Sequence, residues 1–206
     1  MAEAADPDRV ENWPESQFNV GPVAYVHAFG QIALTSAMLE ELLSMKLIQR
    51  LPMNAEVSTP LIHALNNRER ADWLKALVSA EEKESTVQNL TSHGILCCDI
   101  CLDNRNMLVH ALYTGMDHQA AVMKLTKRSR SDPLKEMKFQ VSLEQLRKIA
   151  DEMGETTNFM LELWEYVRTR QMKARVEYDL PLPPLPEKPA LPNRLTIPPP
   201  PADRRA

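Results

Sequence analysis

The stretch "LDNRNMLVHALY", residues 102–113, decides how this chain is read. Its apolar residues recur at helical spacing, yet an arginine, two asparagines and a histidine sit close together. Extended back through "VQNLTSHGILCCDIC", the apolar positions Val87, Leu90, Gly94, Cys98, Cys101, Leu108 and Leu112 form one stripe at about 100° per residue. Arg105 falls on the middle of that stripe, where a leucine is expected. A buried guanidinium is costly unless it is paired and hydrogen-bonded. Arg105 therefore requires either a fixed partner or a cleft, and Glu40 or Glu41 on the first helix is a candidate partner. Asn106 and His110, four residues apart, stack on one face of the helix. Asp99 and Asp103 fall on nearly the same polar face.

The helices around this one follow from the same periodicity. From Pro22 onward, Val26, Phe29, Ala33, Leu39, Leu42, Leu43 and Leu47 mark a long first helix that Pro52 ends. "MNAEVSTPLIHAL" reads as a connection holding at most a helical turn. "NNRERADWLKALV" is amphipathic, with Ala71, Trp73, Leu74 and Leu77 inward. "SAEE", residues 79–82, has the form of a capping box and predicts the start of the helix that carries Arg105, which continues to about Tyr113. "AAVMKLTKR" and "KEMKFQVS", joined by "SRSDPL", predict a small β-hairpin. "SLEQ", residues 142–145, is a second capping box. The helix behind it, roughly 143–172, turns Leu146, Ile149, Met153, Phe159, Met160, Leu163 and Val167 inward.

The ends of the chain differ in character. Residues 1–20 read as a flexible acidic arm, with five acidic residues in the first fifteen against Arg9 alone. Residues 21–178 form the helical domain. Residues 179–206 hold ten of the sixteen prolines and read as a disordered, proline-rich tail. "PPLPEK", residues 183–188, matches a loose Pro-x-x-Pro-x-Lys pattern of the kind that protein partners accept, although a spacer is the simpler reading. The expected fold class is all-α: a bundle of about four or five helices with a hairpin insert and a disordered tail.

The net charge of −4 gives no overall basic field for nucleic acid. A local patch exists just downstream of the opening stretch. There Lys124, Lys127, Arg128, Arg130, Lys135 and Lys138 outnumber Asp132 and Glu136. No signal peptide or apolar run long enough to cross a membrane is apparent, and three cysteines within "CCDIC" suit a reducing compartment, so cytoplasmic placement is expected.

"RNMLVH" fits the order arginine, polar residue, three residues, histidine. It resembles the motif of the HEPN (higher eukaryotes and prokaryotes nucleotide-binding) domain family, and its place late in a long helix is also similar. The resemblance implies a HEPN-like bundle, a homodimer, and metal-independent RNA cleavage in catalytic members. It would make Arg105 the phosphate holder, Asn106 the orienting group and His110 the proton-transfer group, with Lys124, Lys127, Arg128 and Arg130 along the RNA backbone. It implies no metal and no cofactor. The pattern departs from close matches at Ala111, where glycine is common. The family also holds members that bind without cleaving. The alternative is therefore a non-catalytic helical interaction or nucleotide-binding module whose proline-rich tail meets a protein partner.

The remaining candidates have plainer readings. His93, Cys97 and Cys101 lie at helical spacing, but structural zinc sites need four ligands and rarely use one helix. The cysteines read as small buried hydrophobes. His27 and His63 read as packing residues, and His118 as part of a turn.

Overall fold

The computed structural model describes residues 22–51, 53–117, 120–127, 135–175 and 181–196. Among them are five helices and one sheet. The helices are α1 (Val23–Ile48), α2 (Ala55–Ala64), α3 (Asn67–Glu81), α4 (Ser85–Val109) and α5 (Leu143–Arg175). Between α4 and α5 lie β1 (Leu112–Asp117), β2 (Ala120–Lys127) and β3 (Lys135–Ser142), an antiparallel meander in the order β1-β2-β3.

The long last helix begins and packs as its sequence predicts. Ser142 Oγ accepts from the Gln145 amide at 3.1 Å, and Gln145 Oε1 accepts from the Ser142 amide at 2.8 Å, closing the capping box. All seven inward positions predicted for α5, from Leu146 to Val167, are buried. They pack on α1 and α4, whose buried residues belong to the same core. Gly94 lets α4 approach closely. A Cβ there would collide with Met160 Sδ and meet Phe159 Cε1 at 3.0 Å. Gly94→Val should therefore cost about 1–3 kcal/mol by overpacking, read as a lower midpoint in urea denaturation.

Several expectations need correction. "SAEE" does not start α4, because Ser79, Ala80 and Glu81 close α3 and the next helix begins at Ser85. The working capping box opens α3, where Asn66 Oδ1 accepts from the Glu69 amide at 3.0 Å and Glu69 Oε2 from the Asn66 amide at 2.8 Å. "AEVSTPLIHA" is a full helix, α2, capped by Asn54. In the first half of α1, Tyr25, Ala28 and Ile32 are buried rather than Val26 and Ala33. Both phases satisfy the helical period there, and the α1–α5 contact selects one. Trp73 lies on the exposed side of α3. Pro52 and His118 fall outside the described residues.

The expected hairpin is β2–β3, in register from Ala120↔Ser142 to Lys127↔Lys135. Its inner face, with Ala121, Met123, Leu125, Phe139 and Val141, joins the core. A third strand adds to it, so the fold is not purely helical. Helix α4 stops at Val109, and Leu112 and Tyr113 belong to β1. Gly115 explains part of this. Its φ of +142° suits glycine, and it sits where the β1–β2 register shifts around Thr114.

The largest correction concerns the tail. Residues 181–196 form no helix or strand, yet they are held against α4 and α5. Pro186 and Pro192 are buried, and Leu185 and Leu195 pack on the core. Prolines explain why such a segment docks. Their restricted backbone has little conformational freedom left to lose on binding. The disordered reading does not hold for these sixteen residues, and the arm at 1–20 lies outside the described ones.

Candidate functional site

The Arg105 end of α4 is built from three helices. The Arg105 guanidinium forms an ion pair with Glu40 of α1, the first of the two arrangements that the interrupted stripe left open. Its Nη1 also donates to Asn106 Oδ1 at 2.9 Å. Glu40 Oε1 accepts a further bond, at 2.9 Å, from Asn67 Nδ2 of α3. Arg105 Nε is buried and has no hydrogen-bond partner among the described residues. The side chain of Arg105 is only 21% exposed and that of Glu40 29%, so the charges neutralise each other in a half-dry setting.

His110 is the C-cap of α4, its own amide donating to Asn106 O at 3.1 Å, and its side chain is exposed. Arg105 and Asn106 are thus brought together, whereas no hydrogen bond joins His110 to either side chain. Of the expected backbone-binding cations, Lys124 is half-buried on β2, directly opposite exposed Lys138 on β3. Lys127 ends β2 opposite Lys135, and Arg128 and Arg130 lie outside the described residues.

A second constellation lies on the same helix, and the sequence reading missed it. Asn104, to which the sequence assigned no role, is only 2% exposed. Its Nδ2 donates to Asn193 O at 2.7 Å, and its Oδ1 accepts from the Leu195 amide at 2.8 Å. One side-chain amide thereby satisfies both kinds of backbone group on the tail. Beside it, Arg194 Nη1 pairs with Asp103 at 2.6 Å. Glu152 of α5 accepts from the Asn193 amide at 3.0 Å and also from the Asn193 side chain. About three helix turns further back, His93 Nε2 lies 2.9 Å from Pro189 O.

The spacing of these contacts defines the path of the tail. His93 to Asn104 spans eleven residues of helix, about 16 Å. Pro189 to Asn193 spans four residues, about 12 Å if extended. With side-chain reach closing the difference, the tail must be extended and run in the same direction as α4. The available signal in the sequence was "PNR", residues 192–194, where polar groups interrupt the proline run. An asparagine inside a helix, Asn104, was the other, since asparagine is a weak helix former.

The three cysteines of α4 are buried. Burial pushes the Cys97 thiol up to about 11 and the Cys101 thiol up to about 12, and pushes Cys98 further still. All three stay protonated at neutral pH, which suits packing and not nucleophilic attack. His93, Cys97 and Cys101 do not converge: Cys97 Sγ is 3.4 Å from His93 Nε2, whereas Cys101 Sγ meets Thr156 Oγ1 at 3.6 Å. His27 and His63 are exposed and do not pack the core. Among the described residues, no helix is long and apolar enough to cross a membrane.

No protein-family model, curated protein or solved structure matches the chain.

Proposed function

We propose that this chain is a non-catalytic, HEPN-like helical interaction module. Its α4–α5 groove binds a proline-rich peptide and holds the chain's own tail as the resident occupant. The two-sided clamp of Asn104 on the backbone of Asn193 and Leu195 carries this reading. Arg105 fits the same reading as a structural cation, because Glu40 already supplies its counter-charge. A tethered tail has an effective concentration in the millimolar range, so a free peptide competes poorly with it.

Weakening the tail makes the groove testable in the full chain. Asn193→Ala with Leu195→Ala should release the tail and leave the groove intact. That variant should bind a synthetic peptide of residues 181–196, measured by fluorescence anisotropy. The unaltered chain should bind it at least about tenfold more weakly. Adding Asn104→Ala should weaken that binding by roughly 30-fold. A released-tail variant that ignores the peptide would sink the groove reading.

A second reading is favoured by the exposure of His110 beside the bonded pair Arg105–Asn106. It is metal-independent RNA cleavage by a homodimer, with the Lys124–Lys138 side of the sheet meeting the RNA backbone. Mixed RNAs are incubated with the chain in EDTA, beside Arg105→Ala and His110→Ala. Because Glu40 occupies Arg105, the expected result is no cleavage by any of the three. Cleavage lost in both variants would replace the interaction module with the nuclease.

A further inference from the structure

A shallow cleft, open to solvent and enclosing only about 30 Å³, lies on the opposite flank of α4 from the tail, where α1, α3, α4 and α5 meet. Its floor is aliphatic, including Leu74 and Leu163, and its rim carries Lys46, Arg50 and Arg168. Among the described residues, no carboxylate lines it. Arg50 already pairs with Glu81 at 3.4 Å. Arg168 lies over the Trp164 ring, 5.3 Å from its centre, and the Trp164 indole is fixed by donating to Gln49 Oε1 at 2.7 Å.

Lys46 is the anomaly. It is 8% exposed, and it forms no ion pair or hydrogen bond among the described residues. A buried ammonium is expensive without a counter-charge. Among the described residues, its charged and titratable neighbours offer none. Arg50 on α1 and Arg168 on α5 are cations, α3 contributes only aliphatic side chains to the cleft, and the Cys98 thiol on α4 stays protonated. Burial, with Arg50 adding to it, pushes the Lys46 ammonium down to about 8.

We propose that this cleft takes the charged group of a small organic anion as counter-ion to Lys46, while the anion's apolar or ring-shaped body lies over the rim beside Trp164. The anionic group is a carboxylate or a phosphate ester, since Lys46, Arg50 and Arg168 accept either. This site shares no residue with the tail groove or with Arg105, so it stands or falls separately from the proposed function.

The test uses the full chain, calorimetry and the fluorescence of Trp164. The probes are octanoate, adenosine monophosphate and, as an uncharged control, octanol. Saturable binding of octanoate identifies the carboxylate source, and binding of the nucleotide the phosphate source. Either should weaken at least about tenfold in Lys46→Met and several-fold in Arg168→Gln. Binding should also weaken above pH 8 as Lys46 loses its proton, and Lys46→Met should remove that dependence. Lys46→Met should unfold at a higher temperature than the unaltered chain when no ligand is present, so loss of binding is separable from misfolding. If that variant does not fold, Arg168→Gln on the exposed rim decides. No saturable binding of either anion overturns the proposal, and so does octanol binding as tightly as octanoate or affinity unchanged in both variants.

Discussion

Asn104→Ala is expected to release residues 181–196 from the α4–α5 groove while leaving the helical core folded. The substitution removes one donor and one acceptor that are both aimed at tail backbone, at 2.7 and 2.8 Å. Each such bond is worth about 1 kcal/mol net, and a buried backbone group left unpaired costs more. The tail then re-solvates rather than staying docked with two orphaned groups. A loss of about 2 kcal/mol in docking corresponds to roughly 30-fold more of the undocked state. Trypsin reads this directly, because Arg194 is followed by Leu195 and lies inside the clamped stretch. Cleavage after Arg194 should accelerate by about 10- to 30-fold in the variant. Amide exchange at Leu195 should accelerate in parallel. Unchanged cleavage would mean that Pro192, Leu195 and their apolar contacts hold the tail without Asn104.

Glu40→Met is expected to destabilise the fold by about 2–4 kcal/mol, more than Arg105→Met does. Removing the carboxylate leaves a guanidinium that is 21% exposed with its Nε already without a partner. An uncompensated, half-buried charge is among the costliest single changes, although partial exposure moderates it here. Arg105→Met instead places an apolar side chain in the leucine-like position of the stripe and strands only a carboxylate that Asn67 still bonds. The double variant should recover most of the loss. Denaturant unfolding of the four proteins forms a double-mutant cycle with a coupling of at least about 1 kcal/mol. A coupling near zero would show that Arg105 is not held structurally, and the phosphate-binding role would regain ground.

These two experiments probe the features that were hardest and easiest to read from the chain. The α5 inner face was legible residue by residue, because a helix buried along one side leaves a single consistent phase in its apolar positions. The "SLEQ" cap and the β2–β3 hairpin were legible for similar reasons, each being a contact between residues close in sequence. The need of Arg105 for a partner was also legible. The cost of a buried charge is general chemistry, and Glu40 stood among the few acids placed to meet it.

Other features depended on contacts between segments far apart. Tyr25, Ala28 and Ile32 were chosen over Val26 and Ala33 by the packing of α1 on α5, since the local period accommodates both stripes. Helix α4 was expected to run to Tyr113, but pairing with β2 and the backbone of Gly115 take that segment into a strand. The role of Asn104 was hidden altogether. A helix position looks polar and exposed until another part of the chain covers it, and the cover here comes about ninety residues later. Lys46 was hidden in the same way, as one lysine in an amphipathic helix whose end is enclosed by α3, α4 and α5.

From residues alone, then, follow the helical bundle, its last helix, the hairpin and the demand that Arg105 be neutralised, because each rests on local periodicity or on the energy of a single group. Folding in three dimensions added which face of α1 is buried, the third strand, the docked tail and the enclosure of Lys46. Each of these is a competition between distant segments for the same surface, and local sequence carries no term for that competition.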